Sequence, residues 1–379
     1  MKEKINIQFI GVSGSGKTML LSAVSHGLFE GSLRGTNGAV ISATASSHDA
    51  KFGGAGYLNG LSLAQIFSGE YRANLLMAKQ DKNGKIGPAA AGTVNTTNFH
   101  FDFDVHTPEG RTISEPMRLT DYRGGILSLR GTNLSEIDTA ECSAFSASLE
   151  EADVVIILLD GIKLAQYRNN ESKRREKTGA DRINVLMNAY TRMPKKGITT
   201  MILVTKTDSD QIPQDLKANN FKGLCDLARQ TLSSIDNISR SLTSAYGWNL
   251  SVIPVSAIGH GNSVTRYIPE IDEYMCALTD NADIRPENVD TAIIYGIKSA
   301  IIQRSKELDA EIKIYDSKIT EELSHLSVFN ARQHKANIEQ YRIKKNKAQT
   351  LQNKYTKMLA YINEGFSGRF ENIRRFGLK

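Results

Sequence analysis

An eight-residue stretch near the N-terminus, Gly11 to Thr18, limits the possible folds more than any other feature of the chain. It reads GVSGSGKT and stands between an apolar run, Ile5 to Ile10, and a helix-forming segment that begins at Met19. A strand, a glycine-rich loop and a helix in this order place successive backbone N–H groups around one anion, and the helix N-terminus adds its partial positive charge. The stretch therefore predicts an α/β fold with a phosphate site at the end of its first strand.

The residue types within this loop indicate separate roles. Lys17 is expected to reach the β- and γ-phosphates of a nucleotide, and the Thr18 hydroxyl is expected to hold Mg²⁺. The remaining phosphate-binding positions are Ser13, Gly14, Ser15, Gly16 and Met19. A chance glycine-rich turn is the alternative, and the strand and helix on either side argue against it.

Length and composition narrow the class of protein. The 379 residues, 40% of them hydrophobic, suit one large domain with an appendage. No apolar run is long enough for a transmembrane helix, and Met1 to Lys4 leads into a strand without a signal-peptide pattern. The three cysteines lie far apart, and neither they nor the seven histidines show metal-ligand spacing. We therefore expect a cytoplasmic protein without a disulfide framework.

Three further apolar runs predict the central strands of a parallel sheet. Val154–Leu159, Met201–Val204 and Val252–Val255 have the continuous apolar character of strands buried on both faces. The alternating segment Asn98–Val105 and the segment Ile113–Asp121 predict one antiparallel hairpin. Helices are expected over Ser135–Glu150, Asp181–Arg192, Asp215–Leu242 with an interruption, and Pro269–Leu278. The order predicts a three-layer, doubly wound P-loop NTPase sheet, mostly parallel with one antiparallel edge hairpin.

Four motifs are expected at the carboxyl edge of this sheet, where parallel strands place ligands. The first is the Gly11–Thr18 loop, and the second, Asp121-Tyr122-Arg123-Gly124, ends the returning strand of the hairpin. Asp121 is expected to hold Mg²⁺ through a water, and Gly124 lets its N–H approach the γ-phosphate. The third motif, Thr205–Asp208, and the fourth, Ser256-Ala257, each close an apolar strand.

With these motifs in this order, residues 5 to about 280 resemble the P-loop GTPases of the Ras-like and translation-factor (TRAFAC) class. The resemblance implies GTP or GDP with Mg²⁺ as ligands, and it implies that Asp208, in a TKxD form of the NKxD motif, accepts two hydrogen bonds from guanine. Adenine lacks this pair of donors, so an unpaired Asp208 disfavours it. Ordinary surface charges are the alternative for this segment. The implied base-binding set is Thr205, Lys206, Asp208, Ser256, Ala257 and Ile258, with Lys206 along the base and the Ala257 N–H on O6.

The family also has a switch I threonine that binds Mg²⁺ and the γ-phosphate just before the hairpin. Thr93 is favoured for this role because Gly92 frees the backbone before it, and Thr96 and Thr97 remain alternatives.

The chain departs from Ras-like proteins in the residue after the DxxG motif. Gly125 stands where they have the glutamine that orients the attacking water, which predicts slow intrinsic hydrolysis or water positioned from elsewhere. Arg123 and Arg130 either stabilise the γ-phosphate charge in cis or are surface arginines.

Two inserts, near residues 31–92 and 163–196, are longer than the corresponding connections of Ras-like proteins, and the first contains a predicted helix at Leu61–Lys79. The inserts, the Asp-Tyr-x-Gly-Gly sequence and a trailing Pro-Glu-Asn-Val-Asp helix start look similar to bacterial GTPases called double-GTPase-like, which are often assigned to conflict or defence systems.

Beyond residue 282 the chain changes character, which predicts a GTPase domain over 1–282 and a basic helical domain over 283–379. Apolar stripes over Leu308–Leu326 and Ile338–Ile362 predict two long helices in an antiparallel hairpin or coiled coil, and one unbroken helix is the alternative. Residues 329–379 contain twelve Lys/Arg and three Asp/Glu, a net charge of +9, which leaves −3 for the first 328 residues.

These features predict a GTP-hydrolysing molecular switch whose basic helices bind a protein partner. Two other functions remain open, namely a GTP-binding scaffold that hardly hydrolyses and an ATP-dependent P-loop NTPase. The basic helices lack regularly interleaved aromatics and carry only a narrow apolar stripe, which disfavours single-stranded nucleic acid and membranes without excluding nucleic acid or anionic lipid. A homodimer is also compatible with the sequence.

Overall fold

A nine-stranded mixed sheet forms the centre of the fold. The computed structural model describes residues 4–25, 27–28, 33–45, 97–121, 136–191, 199–232, 249–269, 273–279, 283–325, 331–371 and 373–376. The sheet strands are β1 (Ile5–Ile10), β2 (Leu33–Arg34), β3 (Val40–Ala45), β4 (Thr97–His106), β5 (Thr112–Asp121), β6 (Val154–Asp160), β7 (Thr199–Thr205), β8 (Asn249–Pro254) and β11 (Arg374–Phe376). A separate two-stranded sheet pairs β9 (Ser263–Ile268) with β10 (Glu273–Leu278).

The helices lie on both faces of the nine-stranded sheet. They are α1 (Lys17–Ser25), α2 (Glu136–Glu151), α3 (Gly161–Gln166), α4 (Glu171–Thr178), α5 (Ala180–Thr191), α6 (Gln214–Thr231), α7 (Val289–Ser324) and α8 (Ala331–Phe370). The predicted interruption of the helix after Asp215 is confirmed, because Ala218–Phe221 within α6 have non-helical dihedral angles. None of the helices in the described part of the chain has a segment long and apolar enough to cross a bilayer.

The order of strands puts the topological switch point of the sheet at the end of β1. Across the sheet the order is β11-β8-β7-β6-β1-β5-β4-β3-β2, and the five strands from β8 to β5 are parallel. The chain leaves β1 to form β5 on one side and then returns to form β6 on the other. This makes the carboxyl end of β1 the topological switch point, where open α/β sheets bind ligands.

Two apolar cores, one on each face of the sheet, give the three layers predicted from the sequence. Every residue of β1, β6 and β7 is buried, as their apolar runs predict. In β1, Ile5, Ile7 and Phe9 face the core beneath α1, α7 and α8, whereas Ile10 faces the core beneath α2, α3, α5 and α6. The doubly wound α/β fold is therefore confirmed.

The antiparallel strands β2, β3 and β11, at the two edges of the sheet, were not predicted from the sequence. β2 and β3 lie in the Gly/Ser/Ala-rich stretch after residue 31 and extend the predicted β4–β5 hairpin to four antiparallel strands. β11 pairs antiparallel with β8 at the other edge. The predicted helix Leu61–Lys79 lies outside the described residues.

The predicted helix over Pro269–Leu278 is wrong, because Glu273–Leu278 is strand β10. It pairs with β9, whose Val264, Thr265 and Tyr267 have high β-propensity. The rings of Tyr267 and Tyr274 meet across the two strands with centroids 5.2 Å apart, a cross-strand pair that stabilises the hairpin. Tertiary pairing thus overrides the helix propensity of the Glu, Met, Ala and Leu residues in this segment.

Helices α7 and α8 form the predicted antiparallel hairpin, and the single unbroken helix is excluded. Lys345 Nζ lies 2.6 Å from Asp316 Oδ1, and the rings of Tyr315 and Tyr341 stack with centroids 6.5 Å apart. With 36 and 40 residues, the helices are about 54 and 60 Å long at about 1.5 Å per residue.

The base of this hairpin packs on the sheet. The first turns of α7 are buried, and a Cβ added at Gly296 would lie 3.0 Å from Met201 Sδ, so the helix approaches β7 closely. Helix α8 contacts the turns of the antiparallel strands, where Thr36 N donates to Gly365 O at 2.9 Å and Asn37 Nδ2 donates to Tyr361 O at 3.1 Å. The division at 282/283 stays a prediction, but the helices share one core with the sheet.

Candidate nucleotide-binding site

The Gly11–Thr18 loop joins β1 to α1 at the topological switch point of the sheet. Gly14 and Gly16 have φ angles of 77° and 89°, a left-handed conformation that side chains with a Cβ disfavour. Lys17 is 5% exposed, and its Nζ donates to Gly11 O at 2.7 Å. The loop backbone therefore wraps around a buried cation, an arrangement suited to phosphate oxygens.

The Thr205–Asp208 segment is bonded directly to this loop. Thr205 ends β7, and its Oγ1 donates to Ser15 O at 2.7 Å in a buried hydrogen bond. Since parallel strands β1 and β7 both end at this edge, the structure brings the first and third predicted motifs together, as their positions at strand ends predict.

Lys206 is held at the edge of the sheet by a carboxylate that the sequence did not identify. Its φ angle is 59°, and its Nζ lies 2.6 Å from Oδ2 of Asp160, whose side chain is 3% exposed. The other oxygen of Asp160 caps α3 by accepting from Ile162 N at 2.9 Å. Asp160 ends the apolar strand β6, and a carboxylate at the end of a strand was the sequence signal that could have identified it as a site residue. This pair fixes the lysine side chain beside the Thr205–Asp208 turn.

The carboxylate of Asp208 is bonded to two serines. Oδ1 accepts from Ser256 Oγ at 2.6 Å, and Oδ2 accepts from Ser263 Oγ at 2.8 Å. Ser256 was predicted to lie here, and its contact joins the third and fourth motifs. Ser263 was not predicted, because a lone serine 55 residues along the chain gives no local signal.

The loop after β8 positions the remaining base-binding candidates. Ser256 Oγ accepts from Gly259 N at 2.7 Å, and Ser256 N donates to Glu287 O at 3.1 Å. Between these anchors Ala257 is half-buried and Ile258 is buried. The fourth motif is thus a tight turn next to Asp208, with its backbone fixed on both sides.

The predicted γ-phosphate and Mg²⁺ residues cannot be placed in the same way. Thr93, Arg123 and Gly124 lie outside the described residues, as do the side chains of Thr18 and Asp121. The backbone of Asp121 ends β5 opposite Phe9 of β1, at the same edge of the sheet as the phosphate loop. Among the described residues, no group of three or more His, Cys, Asp and Glu side chains is arranged to hold a metal ion. The Mg²⁺ ligands therefore stay a prediction.

Comparisons with known proteins give distant structural similarity only. No protein-family model matches the chain, and no curated protein matches it. A solved signal recognition particle receptor SRb-GTP/SRX complex from Chaetomium thermophilum is similar at 13% identity and a TM-score of 0.32, over 68% of this chain and 94% of that one. A GTP-binding protein from the hyperthermophilic archaeon Sulfolobus solfataricus in complex with GDP is similar at 13% identity and a TM-score of 0.26, over 67% of this chain and 47% of that one. The chain thus spans about half the length of the archaeal protein.

Proposed function

We propose that the chain binds guanine nucleotides at the carboxyl edge of its sheet and hydrolyses GTP slowly. The observation that carries the proposal is a hydrogen bond that joins the Gly11–Thr18 loop to the Thr205–Asp208 segment. Thr205, which opens the segment ending in Asp208, donates to the phosphate loop through Ser15 O, so a phosphate-binding loop and an oriented carboxylate belong to one rigid unit. A ligand with phosphates at one end and adjacent N–H donors at the other fits this unit.

Each end of the site suits a different part of a guanine nucleotide. The Lys17 cation and the N–H groups of the loop suit the phosphates, which carry the ligand's negative charge. The Asp208 carboxylate is an acceptor only, so it favours the N1–H and N2–H₂ donors of guanine over adenine, whose corresponding edge lacks that donor pair. The ion pair of Lys206 with Asp160 holds the lysine beside the Thr205–Asp208 turn, which supports the proposal that its side chain packs along the base.

Hydrolysis is the finer part of the proposal. Mg²⁺, held by Thr18, Asp121 and Thr93, would neutralise charge on the β- and γ-phosphates. Gly125 cannot orient a water, so we propose a slow intrinsic rate that a partner or self-association increases. Arg123 is the candidate for stabilising transition-state charge in cis. A GTP-binding scaffold that hardly hydrolyses is the rival.

We also propose that the α7–α8 hairpin binds a protein partner through its stem, by which we mean the stretch of α8 around residues 342–347. Several basic residues of α8 are paired within the chain, for example Lys354 with Glu115 at 2.6 Å. Arg342, Lys344 and Lys347 lie on the stem with exposed side chains, and they support an acidic partner surface. A second copy of the chain is the alternative partner. The cysteine pattern supports a cytoplasmic setting, and the resemblance to double-GTPase-like proteins suggests bacterial defence as the pathway.

The decisive experiment measures nucleotide preference and turnover together. Purified full-length protein is stripped of nucleotide, and GDP, GTP and ADP are titrated by calorimetry with Mg²⁺ present. We expect guanine nucleotides to bind at least tenfold more tightly than ADP, about 1.4 kcal/mol. Equal affinities would refute the guanine assignment. Phosphate release from GTP is measured on the same protein, and guanine selectivity without any phosphate release would leave the scaffold function.

A separate experiment tests the stem of the hairpin. Glu substitutions at Arg342, Lys344 and Lys347 should abolish partner capture without changing GDP affinity.

A further inference from the structure

The orientation of the Asp208 carboxylate is fixed by hydroxyl groups at both of its oxygens. Ser256 Oγ lies 2.6 Å from Oδ1, and Ser263 Oγ lies 2.8 Å from Oδ2. The terminal torsion of an aspartate is soft, so a carboxylate bound at one oxygen can still turn. A carboxylate bound at both oxygens cannot turn without breaking one of the bonds. The plane of the Asp208 carboxylate is therefore set by the two serines jointly.

Both serine hydroxyls must direct their hydrogens at Asp208. Ser256 Oγ already accepts from Ile258 N at 3.2 Å and from Gly259 N at 2.7 Å, so its own hydrogen is free to go to the carboxylate. An ionised carboxylate has no hydrogen to give, so Ser263 is also the donor in its bond to Asp208. Hydrogen bonds to an ionised acceptor are stronger than neutral ones, which makes both contacts effective restraints.

Ser263 is held in place by strand β9. It is the first residue of that strand and pairs with Leu278 of β10. Two residues further along, Thr265 Oγ1 makes a buried hydrogen bond of 2.9 Å to Ser209 Oγ. Alternate residues of a strand share a face, so Ser263 and Thr265 both reach the segment after β7, whereas Val264 between them is exposed. The β9–β10 hairpin is thus docked beside Asp208 by two side chains.

The restrained carboxylate retains acceptor capacity at both oxygens. An ionised carboxylate has about four lone-pair sites, and in the described part of the chain the two serines use one site at each oxygen. One site at each oxygen is then available to a ligand with two adjacent donors. Guanine has such a pair in N1–H and N2–H₂, whereas hypoxanthine, which lacks the 2-amino group, has N1–H alone.

We propose that Ser263 is a positioning residue that sets the discrimination between guanine and hypoxanthine nucleotides. The inference rests on the proposed function, because it assumes that Asp208 receives a base. Without the Ser263 hydroxyl, the Asp208 carboxylate can rotate while its Oδ1 stays hydrogen-bonded to Ser256. Such turning disrupts a two-point contact more than a one-point contact, since a single N–H can follow one oxygen. Guanine binding therefore suffers more than hypoxanthine binding.

The test compares the affinities of GDP, IDP and ADP for the full-length protein and three variants. In Ser263→Ala we expect the ratio of GDP to IDP affinity to fall roughly tenfold, about 1.4 kcal/mol. Ser263→Thr keeps a hydroxyl and should preserve the ratio. Thr265→Val is the matched control, because it removes a neighbouring β9 hydroxyl that is hydrogen-bonded to Ser209 Oγ and leaves the Ser263 hydroxyl in the chain. It should leave the ratio unchanged, because the Ser263 hydroxyl can still donate to Asp208.

The outcomes separate this inference from the proposed function. If the unaltered protein binds ADP as tightly as GDP, the proposed function fails, and the role of Ser263 fails with it. If the unaltered protein selects GDP but Ser263→Ala weakens GDP and IDP equally, guanine binding stands and the positioning role is refuted. Thermal unfolding shows whether each variant is folded. Should Ser263→Ala not fold, Ser263→Cys supplies the same comparison, because a thiol is only a weak donor.

Discussion

A buried ion cluster at the base of the α7–α8 hairpin gives the most direct test of how the helices are joined to the sheet. Arg304 of α7 has 8% of its side chain exposed, and its Nη2 lies 2.8 Å from Asp153 Oδ2. Its Nη1 lies 3.7 Å from Oε1 of Glu115, a residue of β5 with 2% of its side chain exposed. Burial alone would lower the pKa of Arg304, but the Asp153 carboxylate raises it, so the side chain stays charged. One cation therefore joins a hairpin helix to a carboxylate of strand β5 and to another just before strand β6.

We expect Arg304→Ala to destabilise the protein by about 3–5 kcal/mol, the usual effect of leaving buried charge without its partner. Glu115 keeps Lys354 Nζ at 2.6 Å, so most of the loss falls on Asp153, whose side chain is only 13% exposed. Against a total stability of about 5–15 kcal/mol, this is a large fraction. With an m value of about 2–3 kcal/mol/M, the urea midpoint should fall by roughly 1–2.5 M.

The control is Arg342→Ala, which removes an exposed arginine from the stem of the hairpin. It should change stability by no more than about 0.5 kcal/mol. Urea unfolding followed by far-ultraviolet circular dichroism measures both variants under the same conditions. If Arg304→Ala shifts the midpoint no further than Arg342→Ala, the cluster does not hold the hairpin to the sheet and the reasoning fails. Adding Asp153→Asn to Arg304→Ala should recover part of the loss, because it removes the negative charge that Arg304 no longer balances.

Three further predictions concern the nucleotide site and the pH dependence of folding. Asp208→Asn should weaken GTP binding by about 2–4 kcal/mol and improve binding of xanthine nucleotides, because the amide replaces an acceptor oxygen by a donor; calorimetry with GTP and XTP measures both effects. Lys17→Ala should abolish nucleotide binding or hydrolysis, as measured by calorimetry and phosphate release. The unaltered protein alone should release phosphate far more slowly than ~1 s⁻¹, and a rate of that size would contradict the reasoning from Gly125. Burial and the Glu115 carboxylate raise the pKa of Tyr355 above its ordinary value of 10.0. The contribution of Tyr355 to stability is therefore complete below pH 10.0. It is lost as the pH rises further, because the tyrosine of the unfolded chain then releases its proton before that of the folded protein. Tyr355→Phe should therefore flatten the alkaline fall in stability by about 1.4 kcal/mol per pH unit, and an unchanged slope in urea titrations would exclude Tyr355 as its source.

The central strands and the glycine-rich loop between β1 and α1 could be predicted because their signals are local. Continuous apolar runs such as Val154–Leu159 identify strands buried on both faces, and the loop matches the G-x-x-x-x-G-K-[ST] spacing of glycine, lysine and hydroxyl. Once the strands were known, the carboxyl edge of a parallel sheet brought Thr205, Asp208 and Ser256 together. The side chains that meet at the ends of parallel strands can thus be predicted from the strands themselves.

The partners of these site residues could not be predicted, because they come from distant parts of the chain. Asp160 pairs with Lys206 across 46 residues, and Ser263 reaches Asp208 from a hairpin whose second strand, β10, has a helix-like composition. Short strands such as β2, with two residues, likewise give no periodic pattern. In each case the deciding interaction is tertiary, and no local propensity specifies it.

The composition of the sequence separates the residues after 282 from the rest of the chain, whereas the packing joins them to the sheet. Counted along the sequence, residues 329–379 form a separate basic segment with a net charge of +9. In the fold, Lys354 pairs with Glu115 of β5 and Lys345 pairs with Asp316 of α7, so part of this charge is balanced at the base and part along the stem. Strand β11 also completes an edge of the sheet. Sequence character therefore marks where the helices begin, whereas the shared core argues that residues 1–282 need those helices to fold stably. A test of partner binding must for that reason alter the exposed stem and leave the base intact.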